Sequence, residues 1–349
     1  NKVVLEYIPK YGQRLADDVR KWGAWIKQEA EKELAEFYPK DPDGATPIAY
    51  LWARTIQCEG PNCGAELPLI GQTWLSTKDH RKQAFALEKF VNNKYLNITI
   101  MNSPSDNDVM PAISKKSSVT CPFCGYTTPA KRVREALSQK RGGSDSARLL
   151  GVVITYPGRN GKNYRIPNEQ DFNALKAVSA RISIIENETI NGLSAIPHED
   201  APPEGALGFR FQKYGIRHWR ELYTKRQLVA LTTLSRLVTS HTLRKAMETS
   251  GLKEQEQNVV LTCLAFGIGR VNDLCSTLCR WLPSLEAVAA SNGGQNKMPM
   301  ILDFVEANPI GGSGGDWSGQ IEWIIRVINN LSDSCLQSGN VARAPAQEA

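Results

Sequence analysis

Histidine and long hydrophobic runs are both scarce in this sequence. The 349 residues include four histidines, scattered along the chain, so no Ser-His-Asp or Cys-His arrangement for nucleophilic catalysis can be argued from them. No apolar stretch approaches the roughly 20 residues that a membrane-spanning helix needs. No glycine-rich loop has the spacing of a P-loop or of a dinucleotide-binding fingerprint. The residues alone therefore predict neither a membrane span nor a particular reaction.

Cysteine, by contrast, occurs in a pattern that is typical of a metal site. Four of the eight cysteines form two short pairs, Cys58 with Cys63 and Cys121 with Cys124, and a glycine follows each pair. Two thiolate pairs of this spacing can close a tetrahedral Zn²⁺ site. Glycine and the turn-forming residues between the ligands suit the tight bends that such a site requires. We therefore predict a structural zinc ion held by four thiolates, in preference to redox-active or merely buried cysteines.

The remaining cysteines, Cys263, Cys275, Cys279 and Cys335, lie in segments with helical periodicity. Cys275 and Cys279 are one helical turn apart and could share a metal. No second pair accompanies them, however, so we expect small buried hydrophobic side chains. Because eight cysteines occur without a recognisable secretory signal, we expect reduced thiols and a cytoplasmic location.

Hydrophobic periodicity predicts a protein of the α+β class. A zinc-ribbon β module and a mixed α/β middle should precede a mostly helical half. The expected strands are a strand or linker at 3–8, a strand at 47–56, a hairpin from 65–70 and 73–76, a hairpin from 84–91 and 95–101, and strands at 149–156 and 164–166. Five helices are expected: one at 12–38, one capped by Asn168, one capped by Thr224, one at 254–282 and one at 317–336.

We predict five segments from these elements and from the loops between them. They are an N-terminal helical segment at 1–46, a zinc-ribbon domain with an inserted hairpin at 47–142, a mixed α/β segment and linker at 143–205, a helical domain at 206–337, and a polar tail at 338–349.

Basic residues concentrate in two stretches of a chain whose net charge is +6. One stretch follows the second cysteine pair, and the other interleaves basic and aromatic residues. Lysine and arginine in such stretches can neutralise nucleic-acid phosphates. A solvated helix face has the same composition, so both interpretations stay open. The candidate DNA-binding residues are Lys131, Arg132, Arg134, Lys140, Arg141, Arg210, Lys213, Arg217, Trp219 and Arg220.

Several sequence motifs occur in one order over nearly the whole chain. They include Leu51-Trp52-Ala53-Arg54-Thr55-Ile56-Gln57-Cys58, Trp74-Leu75-Ser76-Thr77-Lys78, Gln212-Lys213-Tyr214-Gly215, Leu278-Cys279-Arg280-Trp281, and Ser313-Gly314-Gly315-Asp316-Trp317-Ser318-Gly319. This set resembles the central region of prokaryotic adenine-specific DNA methylases that contain a zinc ribbon, some of which are associated with restriction-modification and phage defence.

The resemblance implies a Rossmann-like enzyme that uses S-adenosylmethionine to methylate adenine N6 in DNA. The family's cofactor motif, of the Asp-Pro-Phe-x-Gly-x-Gly type, and its catalytic Asp-Pro-Pro-Tyr are both missing here. The chain also begins with Asn. We therefore expect a central, target-recognition-like region whose partners are DNA and the flanking methyltransferase segments. This chain alone should be inactive.

A second hypothesis belongs to a different class of protein. The same cysteines and basic residues would serve a stand-alone zinc-ribbon protein that binds nucleic acid or acts as a scaffold, with no catalysis. Salt-dependent DNA binding without any flanking segment would favour this alternative.

Overall fold

Helices and several small sheets alternate along this chain, which has a mixed α and β fold. The computed structural model describes residues 1–206, 208–291, 298–334, 337–339 and 341. The glycine-containing loop at 292–297, Cys335, Leu336 and most of the predicted polar tail lie outside these residues.

The described helices are α1 (Ile8–Leu34), α2 (Ala130–Ser138), α3 (Glu169–Ile185), α4 (Lys225–Val238), α5 (His241–Thr249), α6 (Glu254–Leu274) and α7 (Trp317–Ser332). The described strands are β1 (Thr46–Ala53), β2 (Thr55–Gln57), β3 (Glu66–Pro68), β4 (Trp74–Ser76), β5 (Gln83–Phe90), β6 (Tyr95–Asn102), β7 (Ser114–Lys115), β8 (Ser118–Thr120), β9 (Thr127–Thr128), β10 (Arg148–Thr155), β11 (Asn163–Arg165), β12 (Thr189–Ile190), β13 (Leu193–Ser194), β14 (Arg280–Leu282), β15 (Ala287–Ala289) and β16 (Val305–Ala307).

The largest described sheet has four antiparallel strands in the order β11-β10-β1-β16. Strand β1 is buried on both faces because alternate side chains meet two different cores. Tyr50 and Trp52 pack with the helices. Ala49 and Leu51 face the opposite way, toward apolar side chains of the β5–β6 hairpin. The sheet therefore separates a helical layer from a layer of small β-hairpins.

The helical layer is built around α1, whose buried residues recur at three- and four-residue intervals as predicted. This stripe, which includes Val19 and Ile26, packs mainly against α7 and also against α4 and α6. Asn168 and Thr224 cap α3 and α4 with capping boxes, as their sequence positions predicted.

A buried ion pair joins the helical layer to the sheet. The guanidinium of Arg226 on α4 donates from Nε and Nη2 to the Glu306 carboxylate of β16, at 2.7 and 3.2 Å. Trp52 Nε1 donates to the same carboxylate at 3.0 Å. Both charged side chains are fully buried, and Arg226 also lies over the Tyr50 ring. Burial alone would lower the pKa of Arg226, but its interactions with Glu306, Tyr50 and Tyr38 together raise the pKa above the ordinary value.

Three predicted elements were wrong. The segment at 3–8 is helical, with a π-helix over Val3–Tyr7 that leads into α1. The predicted pairing of 65–70 with 73–76 does not form, because β3 folds back on β2 across the first cysteine turn and β4 pairs with β5. The helix predicted over 254–282 ends at Leu274, and β14 follows it.

The early end of α6 has a physical cause. The fully buried guanidinium of Arg54 binds both the backbone oxygen and the hydroxyl of Thr277, at 3.2 and 2.9 Å. The Thr277 amide donates to Leu222 O. These contacts use backbone groups that a continuing helix would need, so the chain turns into the β14–β15 hairpin instead.

The predicted domain division stays a prediction, and the central sheet crosses its boundaries. Strands β1, β10 and β16 come from three of the proposed segments and share one sheet. None of the helices in the described part of the chain combines the length and apolar character that a bilayer crossing requires.

Candidate metal centre and adjoining basic groove

Each predicted cysteine pair lies in the turn between two short antiparallel strands. Cys58 and Cys63 lie between β2 and β3, and Cys121 and Cys124 lie between β8 and β9. The Sγ atoms of Cys58 and Cys124 are 3.6 Å apart, those of Cys63 and Cys121 are 3.7 Å apart, and all four lie within 4.8 Å of one another. Four thiolates at the usual Zn–S distance of about 2.3 Å form a tetrahedron with edges of about 3.8 Å. The four side chains can therefore hold a metal ion.

The backbone of the turns brings the sulfurs together. The Gly60 amide donates to Cys58 Sγ at 3.4 Å. A Cβ atom at Gly60 would lie only 2.8 Å from Cys124 Sγ, so the two turns approach too closely for a larger residue. Gly64 and Gly125 take positive φ angles of 62° and 75°, as predicted for the residues that follow each pair.

Burial and hydrogen bonding affect the thiols unequally. Cys58, Cys63 and Cys121 are buried, whereas Cys124 is exposed. Burial raises the pKa of Cys58 and that of Cys121. A hydrogen bond from the Tyr126 amide lowers the pKa of Cys124 to about 7. Since thiolates are the metal ligands, binding must displace protons from Cys58 and Cys121, and affinity should rise with pH.

Two basic side chains hold neighbouring elements against the first cysteine turn. Lys94, at the tip of the β5–β6 hairpin, donates from Nζ to Asn62 O and Cys63 O at 2.6 and 2.5 Å. Arg132 on α2 binds Glu59 at 2.6 Å. Both cations lie where four thiolates around a divalent ion would leave a net negative charge. Lys94 is not among the predicted site residues, because its contact spans 31 residues and no local sequence pattern marks it.

A small apolar core supports the turns. The cysteines pack with buried residues of β2, β3, β8 and α2, including Ile56, Leu67, Val119 and Val133. We refer to residues 55–68 and 114–128 together as the cysteine module, and α2 packs against it.

Four of the predicted DNA-binding residues meet beside this module, and we call their surface the basic groove. Lys131 and Arg134 lie on α2, and Arg210 and Lys213 lie at the 3₁₀ turn Phe211–Tyr214. They line two adjoining cavities of about 380 and 470 Å³, which share Arg134 and Lys213. The structure thus brings together residues that are about 80 positions apart in sequence.

Close packing holds the 3₁₀ turn against α2. Tyr214 OH lies 3.1 Å from Ser117 Oγ. A Cβ atom at Gly215, which has φ +86°, would lie 2.5 Å from Ser138 O at the end of α2. Lys213 also makes a 3.2 Å ion pair with Glu204, but both side chains are half exposed, and such pairs are weak.

Other predicted basic residues are engaged in contacts within the protein. The partners are Glu59 and Glu135 for Arg132, Glu221 for Arg141, Glu186 for Arg220, and the backbone oxygen of Thr55 for Lys140. Arg132, Arg220 and Lys140 therefore have less freedom to bind phosphate than the basic groove has. The 3.6 Å pair of Arg141 involves a largely exposed side chain and is weak.

The last two candidates differ from each other. Arg217 is exposed, outside the basic groove. Trp219 is half-buried and packs edge-to-face on Phe209, with ring centroids 6.1 Å apart, and also contacts Phe211. Packing explains Trp219 without a base-stacking role.

Comparison of this chain with protein-family models, with curated proteins and with solved structures gave no match. The methylase resemblance accordingly stays a prediction.

Proposed function

We propose that this chain is a DNA-engaging region whose fold depends on a structural zinc ion. In this proposal the two cysteine-bearing hairpins form a zinc ribbon. The four sulfurs have the mutual distances that tetrahedral zinc needs. Four thiolates leave no open coordination position for water or substrate, so the ion stabilises the fold and takes no part in a reaction.

The basic groove is the observation that carries the DNA-binding part of the proposal. Its four cations line adjoining cavities, and the acidic residues near them are Glu135 and Glu204. Helix α2 supplies two of the cations and packs its buried face on the cysteine module. The metal would thereby fix the position of the groove, which would contact the phosphates of DNA.

The family resemblance supports a more specific role. We propose that the chain is the central, target-recognition-like region of an S-adenosylmethionine-dependent DNA adenine N6-methyltransferase. The cofactor and catalytic motifs then belong to flanking segments, and this chain contributes DNA contacts alone.

Paired substitutions test the groove. Arg134→Gln with Lys213→Gln should weaken DNA binding about tenfold and reduce the slope of log affinity against log salt by about two, because each phosphate contact contributes about 0.9. Arg244→Gln with Arg326→Gln removes the same charge from exposed positions on α5 and α7 and should leave both quantities nearly unchanged. Equal losses in the two double variants would mean that only net charge matters and would refute the groove.

Methyl transfer separates the two roles. The chain combined with its flanking segments should methylate adenine in DNA, and the chain alone should not. If the chain with its flanking segments binds DNA but transfers no methyl group, the methyltransferase proposal is refuted. That result would favour a stand-alone zinc-ribbon DNA-binding or scaffold protein.

A further inference from the structure

An aromatic cavity lies outside the cysteine module and the basic groove. It has a volume of about 310 Å³ and lies between β1, the β4–β5 hairpin, β14 and the segment that leads into β16. A volume near 300 Å³ is at the small end of ligand-binding sites. Its aromatic lining consists of Trp52, Trp74, Phe85, Trp281 and Phe304.

The protein fixes the aromatic walls of this cavity. Trp281 Nε1 donates to Leu75 O at 2.7 Å, and its ring meets Tyr164 edge-on. Trp52 donates its indole N–H to Glu306 and stacks on Phe304 with an interplanar angle of 8°. Trp52 and Phe304 are buried and form the inner wall of the cavity. Trp74 and Trp281 are only half-buried, so their rings remain accessible.

One carboxylate in the wall is anchored and still has a free oxygen. Asp303 Oδ2 accepts hydrogen bonds from the amides of Gly71 and Gln72, at 2.9 and 2.8 Å. Its Oδ1 accepts none from any other described residue. Burial raises the pKa of Asp303 to about 6. At neutral pH this group is therefore an acceptor, and a donor from a ligand can reach it.

An arginine supplies the opposite charge. Arg280 lines the cavity, is exposed, and makes no side-chain hydrogen bond or ion pair within the described part of the chain. Aromatic cavities with a carboxylate can also take quaternary ammonium ligands. A nearby unpaired guanidinium disfavours such a cation and favours a ligand that carries both a donor and an anionic group.

We propose that this cavity binds one nucleobase that bears an exocyclic amino group and belongs to a nucleotide. The ring lies among the aromatic side chains, the amino group donates to Asp303 Oδ1, and the phosphate lies toward Arg280. Thymine presents a carbonyl where adenine and cytosine present an amino group, so the carboxylate rejects it. The base can belong to a free nucleotide or to a single strand. The cavity depends on neither the metal nor the basic groove.

Titration of the full chain with dAMP, dCMP and dTMP, followed by calorimetry and tryptophan fluorescence, tests the proposal. The two amino-bearing nucleotides should bind about tenfold more tightly than dTMP. A short oligothymidylate with and without one internal adenine distinguishes a strand from a free nucleotide as the source of the base. Equal affinities for all three nucleotides and for both oligonucleotides, or no saturable binding, would overturn the proposal.

Substitution of the carboxylate should reverse the preference. In Asp303→Asn the amide oxygen still accepts from Gly71 and Gln72, so the amide NH₂ turns toward the cavity and favours the carbonyl of dTMP. Trp74→Leu should lose most binding of every nucleotide. Trp323→Leu is the matched control, because Trp323 is exposed on α7 outside the cavity.

The two positions are independent tests. If Asp303→Asn does not fold, as judged by circular dichroism, the comparison of Trp74→Leu with Trp323→Leu still decides. Equal losses in the two tryptophan variants, or an unchanged base preference in a folded Asp303→Asn variant, would refute the assignment.

Discussion

The cysteine module and the helix–sheet core both join segments that are distant in sequence, but they do so by different chemistry. The module brings four thiols together, and three of them are buried. The core brings Arg226 and Glu306 together as a buried ion pair, to which Trp52 adds a hydrogen bond. The buried thiols become ligands only when a cation displaces their protons, whereas the ion pair is complete within the protein. The fold of the module should therefore depend on metal, and that of the core should not.

Loss of the metal should have the largest effect, and only on the module. The chain should contain about one zinc ion, and Cys121→Ser should abolish it and expose the amides of the module to hydrogen exchange. The helical core should keep its exchange protection and its circular dichroism. Cys263→Ala, which removes a buried thiol from α6, is the control and should keep its zinc.

Two outcomes would contradict the difference in metal dependence between the module and the core. Cys121→Ser with full zinc content would exclude the proposed ligand set. Simultaneous unfolding of the module and the core after chelation would show that they are one cooperative unit.

The next largest effect should follow the loss of one buried charge from the core. Glu306→Ala leaves the Arg226 guanidinium buried without its carboxylate and should cost about 3–5 kcal/mol of unfolding free energy. Denaturant unfolding measures this cost. Glu322→Ala, which removes a largely exposed partner of Arg326, should change stability little. Similar values for the two variants would contradict the role given to the buried pair.

A smaller change should act on the metal site without removing a ligand. Gly60→Ala places a methyl group where Cys124 Sγ lies 2.8 Å away and should lower zinc affinity by about 10- to 100-fold. Competition with a chromophoric chelator measures this change. Gly269→Ala has open space around the added methyl group and should bind zinc normally. Unaltered zinc affinity in Gly60→Ala would mean that the turns can separate without loss of the site.

The smallest expected effect concerns the aromatic cavity, where Asp303 binds the Gly71 and Gln72 amides. Its folded-state pKa of about 6 lies above the ordinary value, so the protonated form favours folding below about pH 4, and this contribution is lost as pH rises through 6. Asn carries no titrating proton here, so the unfolding free energy of Asp303→Asn, relative to that of the native chain, should rise by about 1–3 kcal/mol as the pH is raised from 4 to 7. Asp106→Asn, at an exposed position, should show no such trend.

Local sequence patterns predicted the four-cysteine cluster and most elements, because cysteine spacing, strand periodicity and helix caps are short-range signals. Asn168 and Thr224 identified helix starts correctly. The end of α6 was missed because Arg54, more than 200 residues away, binds Thr277. The pairing of Arg226 with Glu306 was missed for the same reason.

Sequence composition alone does not distinguish the basic residues that line the basic groove from those that bind acidic side chains within the protein. Lys131 and Arg132 are neighbours in sequence, yet only Lys131 lines the basic groove, whereas Arg132 is bound to Glu59 and Glu135. Which acids lie nearby depends on the tertiary fold, so sequence alone leaves both residues as equal candidates.

X-ray absorption spectroscopy at the zinc edge of the purified full chain tests the central claim most directly. We expect four sulfur neighbours at about 2.3 Å and no nitrogen or oxygen neighbour, in a sample that contains about one zinc per chain. A zinc-free chain whose cysteine module is nevertheless folded, or a zinc ion with mixed oxygen or nitrogen coordination, would contradict the account.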